Sequence, residues 1–176
     1  MNRKVIAVVA STLALAGAAV LLAQTADPIS TEAKGSYNRV KGFIIKAADA
    51  MPEANYGFKP TAEIRNYGQL FTHIAESQMR TCSTLNGAMK QSDAGSKTAK
   101  TDIIAVLKAS FDECDKAFEG ASDAAVAQTT GTGRAMRTKI GSLYGTVAHD
   151  NEMYGVIGVY MRLKGMVPPS SEAPGR

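Results

Sequence analysis

The sequence lacks several features that would place it in common structural or functional classes. No stretch alternates apolar and polar residues with period two for long, which argues against a fold built mainly from β-strands. No patch combines basic and aromatic side chains, so nucleic acid is not expected as a partner. Internal repeats and low-complexity tracts are also missing. A chain of 176 residues without these features is expected to form one ordinary domain.

One long apolar run, at the N-terminus, is typical of an export signal. Arg3 and Lys4 precede apolar residues 5–22, and small residues follow, so residues 1–26 are predicted to be a cleaved signal peptide. The run is also long enough to remain as a membrane anchor. No cysteine follows it to carry a lipid, which argues against a lipoprotein. Cleavage would lower the net charge from +4 to +2 and would leave a periplasmic or secreted protein.

In the rest of the chain, apolar residues recur every three or four positions, which is the spacing of amphipathic helices. Ser30 is predicted to cap a first helix that runs to residue 50. Asn66, with Gln69 three positions later, has the pattern of a capping box for a second helix.

The second half of the chain predicts two more helices. Gly120 is expected to close the third helix, and the fourth is expected to run from Thr138 to Lys164, where Gly and Pro residues follow. Four helices of roughly 20 residues each predict an all-α protein, a four-helix bundle over residues 27–170 with a short tail at 171–176.

The predicted fourth helix is apolar on two sides. Its main stripe contains Ile140, Leu143, Tyr144, Val147, Tyr154 and Met161. A second stripe lies roughly opposite and is here named the His149 stripe; it contains His149, Met153, Val156 and Tyr160. A helix of this kind needs a pocket, another subunit or a further packed segment to cover its second apolar face.

The two cysteines, Cys82 and Cys114, lie on the second and third predicted helices. They are either buried free thiols or, in an exported protein, a disulfide. In an antiparallel helix pair their levels would differ by about 10 Å, which is too far for a bridge. In a parallel pair the levels agree, so a disulfide would favour parallel helices with the segment 91–98 crossing back along the bundle.

The two histidines are the residues best suited to hold a metal ion or act as acid and base. His73 lies on the second helix, well away from the centre of its main apolar stripe, with Glu76 one turn away, and His149 lies on the fourth. That main stripe contains Tyr67, Leu70, Ile74, Gln78, Cys82 and Leu85. Metal sites usually need at least three protein ligands, so spacing alone favours ordinary surface or hydrogen-bonded histidines. Met153 follows His149 by four positions, a spacing that suits a soft metal such as copper but is more typical of core packing.

Several segments together resemble the DinB family. They are Asn-Tyr-Gly-Phe-Lys-Pro-Thr-Ala-Glu-Ile-Arg at 55–65, Leu-Phe-Thr-His-Ile-Ala-Glu-Ser-Gln at 70–78, His149, and Pro-Pro-Ser-Ser at 168–171. The resemblance implies a bundle with up-down-down-up order and therefore a parallel second and third helix. It also implies a zinc or nickel ion held by three histidines, of which His73 matches the first and His149 the second.

Met153 stands where the family has its third histidine. A thioether is a poor ligand for zinc or nickel, so we expect weakened or absent binding of these ions. Glu76 and Glu152 each lie one turn from a matching histidine and are candidates to replace the missing donor. Solvated or ion-paired surface carboxylates are the ordinary alternative for both.

Two functions are considered, one from this resemblance and one from the second apolar stripe. Relatives in the family include thiol-S-transferases and a thiol-dependent isomerase, which implies a metal-dependent transferase or hydrolase that uses His73 and His149. The alternative is a non-catalytic bundle whose cleft, lined by the His149 stripe, binds a small apolar ligand or a second copy of the chain. A homodimer would cover that stripe as well as a pocket would.

Overall fold

Four long helices form the body of the protein, as the computed structural model shows for residues 27–133 and 136–172. They are α1 (Pro28–Ala50), α2 (Tyr67–Leu85), α3 (Lys100–Glu119) and, after the short helix α4 (Asp123–Val126), α5 (Lys139–Leu163). Two-residue strands β1 (Thr129–Thr130) and β2 (Arg137–Thr138) pair antiparallel before α5. The predicted all-α class is confirmed. The predicted signal peptide and the last four residues of the tail lie outside the described residues.

None of the helices in the described ranges combines the length and the apolar character that a membrane crossing requires.

Helix α2 begins after its predicted capping box, and α5 begins directly after Thr138, where its start was predicted. Asn66 Oδ1 accepts a hydrogen bond from the Gln69 N–H at 2.8 Å, and Gln69 Oε1 accepts one from the Asn66 N–H at 2.9 Å. This reciprocal pair satisfies two backbone donors that a helix leaves unpaired at its start. At α5, Thr138 Oγ1 accepts from the Gly141 N–H at 3.1 Å.

The prediction that Ser30 caps the first helix was wrong. The helix begins two positions earlier, at Pro28, whose missing N–H costs nothing in a first turn. Ser30 lies inside that turn, and both its N–H (2.8 Å) and its hydroxyl (2.6 Å) donate to Asp123 Oδ1. The acceptor for the helix start therefore comes from α4, 93 positions away, which no local pattern could reveal.

Helices α2 and α3 run in the same direction. Gln78 of α2 contacts Ser110 of α3, and four residues further along each helix a disulfide joins Cys82 to Cys114. Contacts that advance together along both helices require a parallel pair. The segment 86–99 returns along the bundle between the two helices, which confirms the predicted crossover and the predicted disulfide.

Helix α5 runs antiparallel to α2. Gln78, in the second half of α2, bonds to Asp150 in the first half of α5, whereas Tyr67 at the start of α2 packs near Tyr160 at the end of α5.

Helix α1 runs antiparallel to α3. The Lys100 ammonium donates to the Asp49 carbonyl at one end, and the Tyr37 hydroxyl donates to Asp115 Oδ1 at the other. The Tyr37 ring stacks on Phe118 with ring centroids 4.1 Å apart. These directions give the up-down-down-up order that the family resemblance implied.

One member of the predicted main stripe of α5 is exposed, and one end of the His149 stripe is covered by another segment of the chain. Tyr144 is 62% exposed, because it lies one helical step away from the buried Leu143. On the His149 stripe, Tyr160 is buried under Phe58, with ring centroids 5.9 Å apart, and its hydroxyl donates to the Arg65 carbonyl at 2.7 Å. The connection between α1 and α2 is thus the packed segment that covers this end of the stripe.

Candidate functional site

His73 and His149 converge from α2 and α5 although they are 76 positions apart in the sequence. Their Nε2 atoms lie 3.1 Å apart, and their ring centroids 5.0 Å apart. The separation of the two nitrogens is that of a hydrogen bond, in which one ring donates and the other accepts. Both side chains are partly buried. This convergence, which the family resemblance implied, is the defining feature of the site.

An open surface cavity gives access to His73. It has a volume of about 380 Å³ and is bounded by the connection before α2, by α2 itself and by the crossover; its lining includes Glu63, Arg65, Gln69, Thr72, His73, Glu76 and Gly95. A small molecule in this cavity would contact the His73 imidazole.

The pKa of His73 is lowered from its ordinary value. Partial burial is the largest cause, and the positive charge of Arg65 and the neighbouring His149 add to it, while Glu76 opposes. A lowered pKa keeps the imidazole neutral at neutral pH. The neutral ring has a lone pair that can bind a metal ion or accept a proton.

A buried polar network stands behind His149. Asp150 is 0% exposed, and its Oδ2 accepts a hydrogen bond from Gln78 Nε2 at 2.7 Å. Gln78 Oε1 in turn lies 2.8 Å from the Ser110 hydroxyl, which can donate to it. The second carboxylate oxygen of Asp150 lies 3.5 Å from His149 Nδ1. Burial raises the pKa of Asp150, while the contacts with His149 and Gln78 oppose that rise.

Asp150 and Ser110 are the site residues that our sequence analysis missed, and Gln78 was placed only as a member of a core stripe. The sequence did contain a signal for the role of Asp150. Asp150 is three positions after Val147 and four before Tyr154, so a carboxylate interrupts the main apolar stripe of α5. A charged residue at a core position is rare unless it has a partner, and the partner of this one is Gln78.

The other predicted site residues are dispersed. Glu76 lines the cavity, and its Oε1 accepts from the Gly95 N–H at 3.0 Å. Glu152 is exposed. Met153 is 8% exposed and packs in the core, with Val156 partly buried against it. The buried Tyr160 is held by the Arg65 carbonyl, as described above.

The two Nε2 atoms of His73 and His149 are spaced as two ligands of one metal ion would be. Ligand nitrogens at about 2.0–2.1 Å from a tetrahedral ion lie roughly 3.3 Å from each other, and the two Nε2 atoms are 3.1 Å apart. A third donor of the usual kind is missing, since within residues 27–133 and 136–172 no three His, Cys, Asp or Glu side chains are grouped to hold an ion. The site fits two-histidine ligation and does not fit the three-histidine set that the family resemblance implies.

The family can be stated from the sequence comparison. The DinB superfamily model matches residues 43–157, which is more than half of the chain. The chain belongs to the DinB superfamily. No curated protein matches its sequence significantly.

Solved structures show that the DinB-like fold is shared at low sequence identity. A DinB-like protein from Bacillus cereus has a TM-score of 0.65 at 15% identity, covering 78% of this chain and 93% of its own. A conserved protein from Enterococcus faecalis has a TM-score of 0.61 at 13% identity, with coverages of 76% and 95%. A mutant of the mycothiol-dependent maleylpyruvate isomerase has a TM-score of 0.58 at 13% identity, with coverages of 75% and 65%. At these identities the likeness concerns the fold.

Proposed function

We propose that this DinB-like protein binds one metal ion between His73 and His149 and acts as a metal-dependent transferase or hydrolase. The observation that carries the proposal is the 3.1 Å separation of the two Nε2 atoms, which are supplied by different helices. We also propose that residues 1–26 direct export, so the reaction would take place in the periplasm or outside the cell.

The two histidines would be the protein ligands, and the remaining positions would be open to water or to a substrate in the adjoining cavity. A bound divalent ion lowers the pKa of a coordinated thiol or water and so supplies a nucleophile at neutral pH. The lowered pKa of His73 keeps its imidazole in the neutral state that ligation requires. One protein of the same fold is named as mycothiol-dependent, which supports low-molecular-weight thiols as the first co-substrates to test.

Met153 lies one helical turn after His149, where the resemblance places the third histidine. Two imidazoles joined by this thioether would form a softer donor set than three imidazoles, so zinc and nickel should bind weakly, and Cu(I) comparatively better. Met153→His would restore the family's donor set at the same position on α5. The side chain is nearly buried, so the imidazole would replace a packed methionine rather than an exposed one.

The test is calorimetric titration of the untagged mature protein with Zn²⁺ and Ni²⁺, and with Cu⁺ under reducing, anaerobic conditions that leave the disulfide intact. We expect one equivalent to bind, His73→Ala to abolish binding, and Met153→His to tighten Zn²⁺ binding by about tenfold or more. Asp112→Asn is the control, because it removes an exposed carboxylate of α3 that is not a candidate donor. If neither the wild-type protein nor Met153→His binds any of the three ions, the proposal is wrong.

A second candidate function is a non-catalytic bundle in which His73 and His149 simply bond to each other. The observation that favours it is the lack of a third donor in the described part of the chain, together with a His–His distance that already suits a hydrogen bond. In that case His73→Ala would lower the melting temperature without changing metal content. Binding of an apolar ligand or of a second copy through the His149 stripe remains a proposal. Because Tyr160 is already covered, such a ligand or second copy would have to contact the part of the stripe near Val156.

A further inference from the structure

We infer that Asp150 is a positioning residue that sets the tautomer of His149. In this role its carboxylate accepts the proton of His149 Nδ1 and leaves the Nε2 lone pair free toward His73. The inference deepens the proposed function, since its consequence for metal affinity rests on that function. The tautomer itself does not depend on a bound metal.

The first step concerns two atoms that lack partners. His149 Nδ1 and Asp150 Oδ1 are both buried, and neither has a hydrogen-bond partner among the described residues. They lie 3.5 Å from each other, slightly beyond hydrogen-bond length. A buried polar atom without a partner is unfavourable, so a small rotation that closes this gap lowers the free energy. Asp150 Oδ2 already accepts from Gln78. In its ionised form the carboxylate can only accept at Oδ1 as well, and the proton of the pair is then on Nδ1.

The second step concerns what holds the carboxylate in place. Gln78 Nε2 donates to Asp150 Oδ2, and this orientation of the amide turns Gln78 Oε1 toward the Ser110 hydroxyl. The network therefore extends from α3 through α2 to α5. The Cys82–Cys114 disulfide lies one turn beyond Gln78 and Ser110 and keeps the two helices at the same level. The carboxylate is held by groups that do not belong to its own helix.

The third step follows from the number of protons on a neutral imidazole. With its single proton on Nδ1, His149 presents a lone pair at Nε2, 3.1 Å from His73 Nε2. In the metal-free protein, His73 must then donate from its own Nε2 across this contact. Carboxylates that receive the second N–H of a ligand histidine fix the ring orientation and raise the basicity of the ligand nitrogen.

Asp150→Asn inverts this arrangement by changing one atom. The amide oxygen continues to accept from Gln78, and the amide nitrogen then faces His149 Nδ1, to which it can only donate. His149 would carry its proton on Nε2, and His73 would become the acceptor in the His–His contact. The lone pair that a metal ion needs at His149 would be lost.

The experiment is long-range ¹⁵N–¹H NMR of both imidazoles in the metal-free protein, at about pH 8 where neutral rings predominate. The chain has two histidines, so His73→Gln assigns the two sets of signals. We expect Nδ1–H at His149 in the wild-type protein and Nε2–H in Asp150→Asn, and a loss of Zn²⁺ affinity of about 10- to 100-fold in the variant. Asp112→Asn, which makes the same change at an exposed position of α3, should leave tautomer and affinity unchanged.

A wild-type spectrum with the proton on Nε2 of His149 would overturn the inference, even if Asp150→Asn failed to fold. Inverted tautomers in the variant without metal binding in either protein would support the inference and refute the proposed metal site. If both proteins bind metal with equal affinity and His149 has the same tautomer in both, the metal site is supported and the role of Asp150 is overturned.

Discussion

Cys82 and Cys114 lie at the same level of two helices that run in the same direction, and a disulfide joins them with Cα atoms 4.9 Å apart. Each cysteine follows by four positions a member of the buried network, Gln78 on α2 and Ser110 on α3. The bridge therefore stabilises the fold and also keeps these two members of the network opposite each other.

We expect replacement of both cysteines by serine to lower the free energy of unfolding by about 3 to 4 kcal/mol. The bridge closes a loop of 32 residues, and its loss restores entropy to the unfolded chain. Urea unfolding of the oxidised protein and the double variant measures the change, and a mass increase on reduction and alkylation verifies the bridge. An unchanged unfolding midpoint after verified reduction would contradict the prediction.

Glu113 should make the stability of the protein depend on acidic pH. Its side chain is 6% exposed, accepts from Asn86 Nδ2 at 2.8 Å and pairs with the Lys90 ammonium at 2.8 Å. The Lys90 and Asn86 donors lower the pKa of Glu113 from 4.5 to about 2. A carboxyl whose pKa is depressed in the folded state stabilises the protein above its unfolded pKa, and this contribution disappears as the pH falls from 4.5 toward 2.

Glu113→Gln should therefore lower the free energy of unfolding by about 1 to 2 kcal/mol at neutral pH. Near pH 2, where the wild-type carboxyl also becomes neutral, it should change it by almost nothing. Denaturant unfolding across this pH range measures the difference between the two proteins. Glu119→Gln, at an exposed position of the same helix, is the matched control and should show no such dependence. A difference that stays constant with pH would show that the ion pairs of Glu113 do not contribute.

Gly95 should be required for the position of the Glu76 carboxylate. A Cβ atom at position 95 would lie 2.5 Å from Glu76 Oε1, so the glutamate would have to turn away and lose its bond to the Gly95 N–H. Gly95→Ala should destabilise the protein by about 1 kcal/mol. In a Glu76→Ala background the same substitution should cost nearly nothing, because the clash and the bond are both absent. Equal costs in the two backgrounds, measured by urea unfolding, would refute this coupling.

Tyr160→Phe should loosen the connection between α1 and α2. The substitution removes the bond from the buried Tyr160 hydroxyl to the Arg65 carbonyl and should cost about 1 kcal/mol. Tyr144→Phe is the control, since that side chain is 62% exposed and a surface change of this kind should have an effect below about 0.5 kcal/mol. Hydrogen exchange of residues 58–66 should increase in the first variant and not in the second.

The capping box at Asn66 and the start of α5 at Thr138 could be predicted from the sequence because each capping oxygen and the backbone N–H that donates to it lie within three positions. The cap of α1 could not, because its acceptor is Asp123 on another helix. Tyr144 was assigned to the buried face for a related reason. Periodicity locates an apolar face only to within one helical step, and packing decides which of two neighbouring residues it covers.

The sequence by itself determined the helical class, the four long helices and, through the family resemblance, the direction of each helix and the pairing of His73 with His149. These properties depend on local spacing or on residue types that can be compared with relatives. Only the tertiary structure decided what stands behind the site, because the partner of Asp150 is Gln78 on α2, and Gln78 is in turn held by Ser110 on α3. A carboxylate within an apolar stripe indicates that a partner must exist, and only packing places Gln78 and Ser110 there.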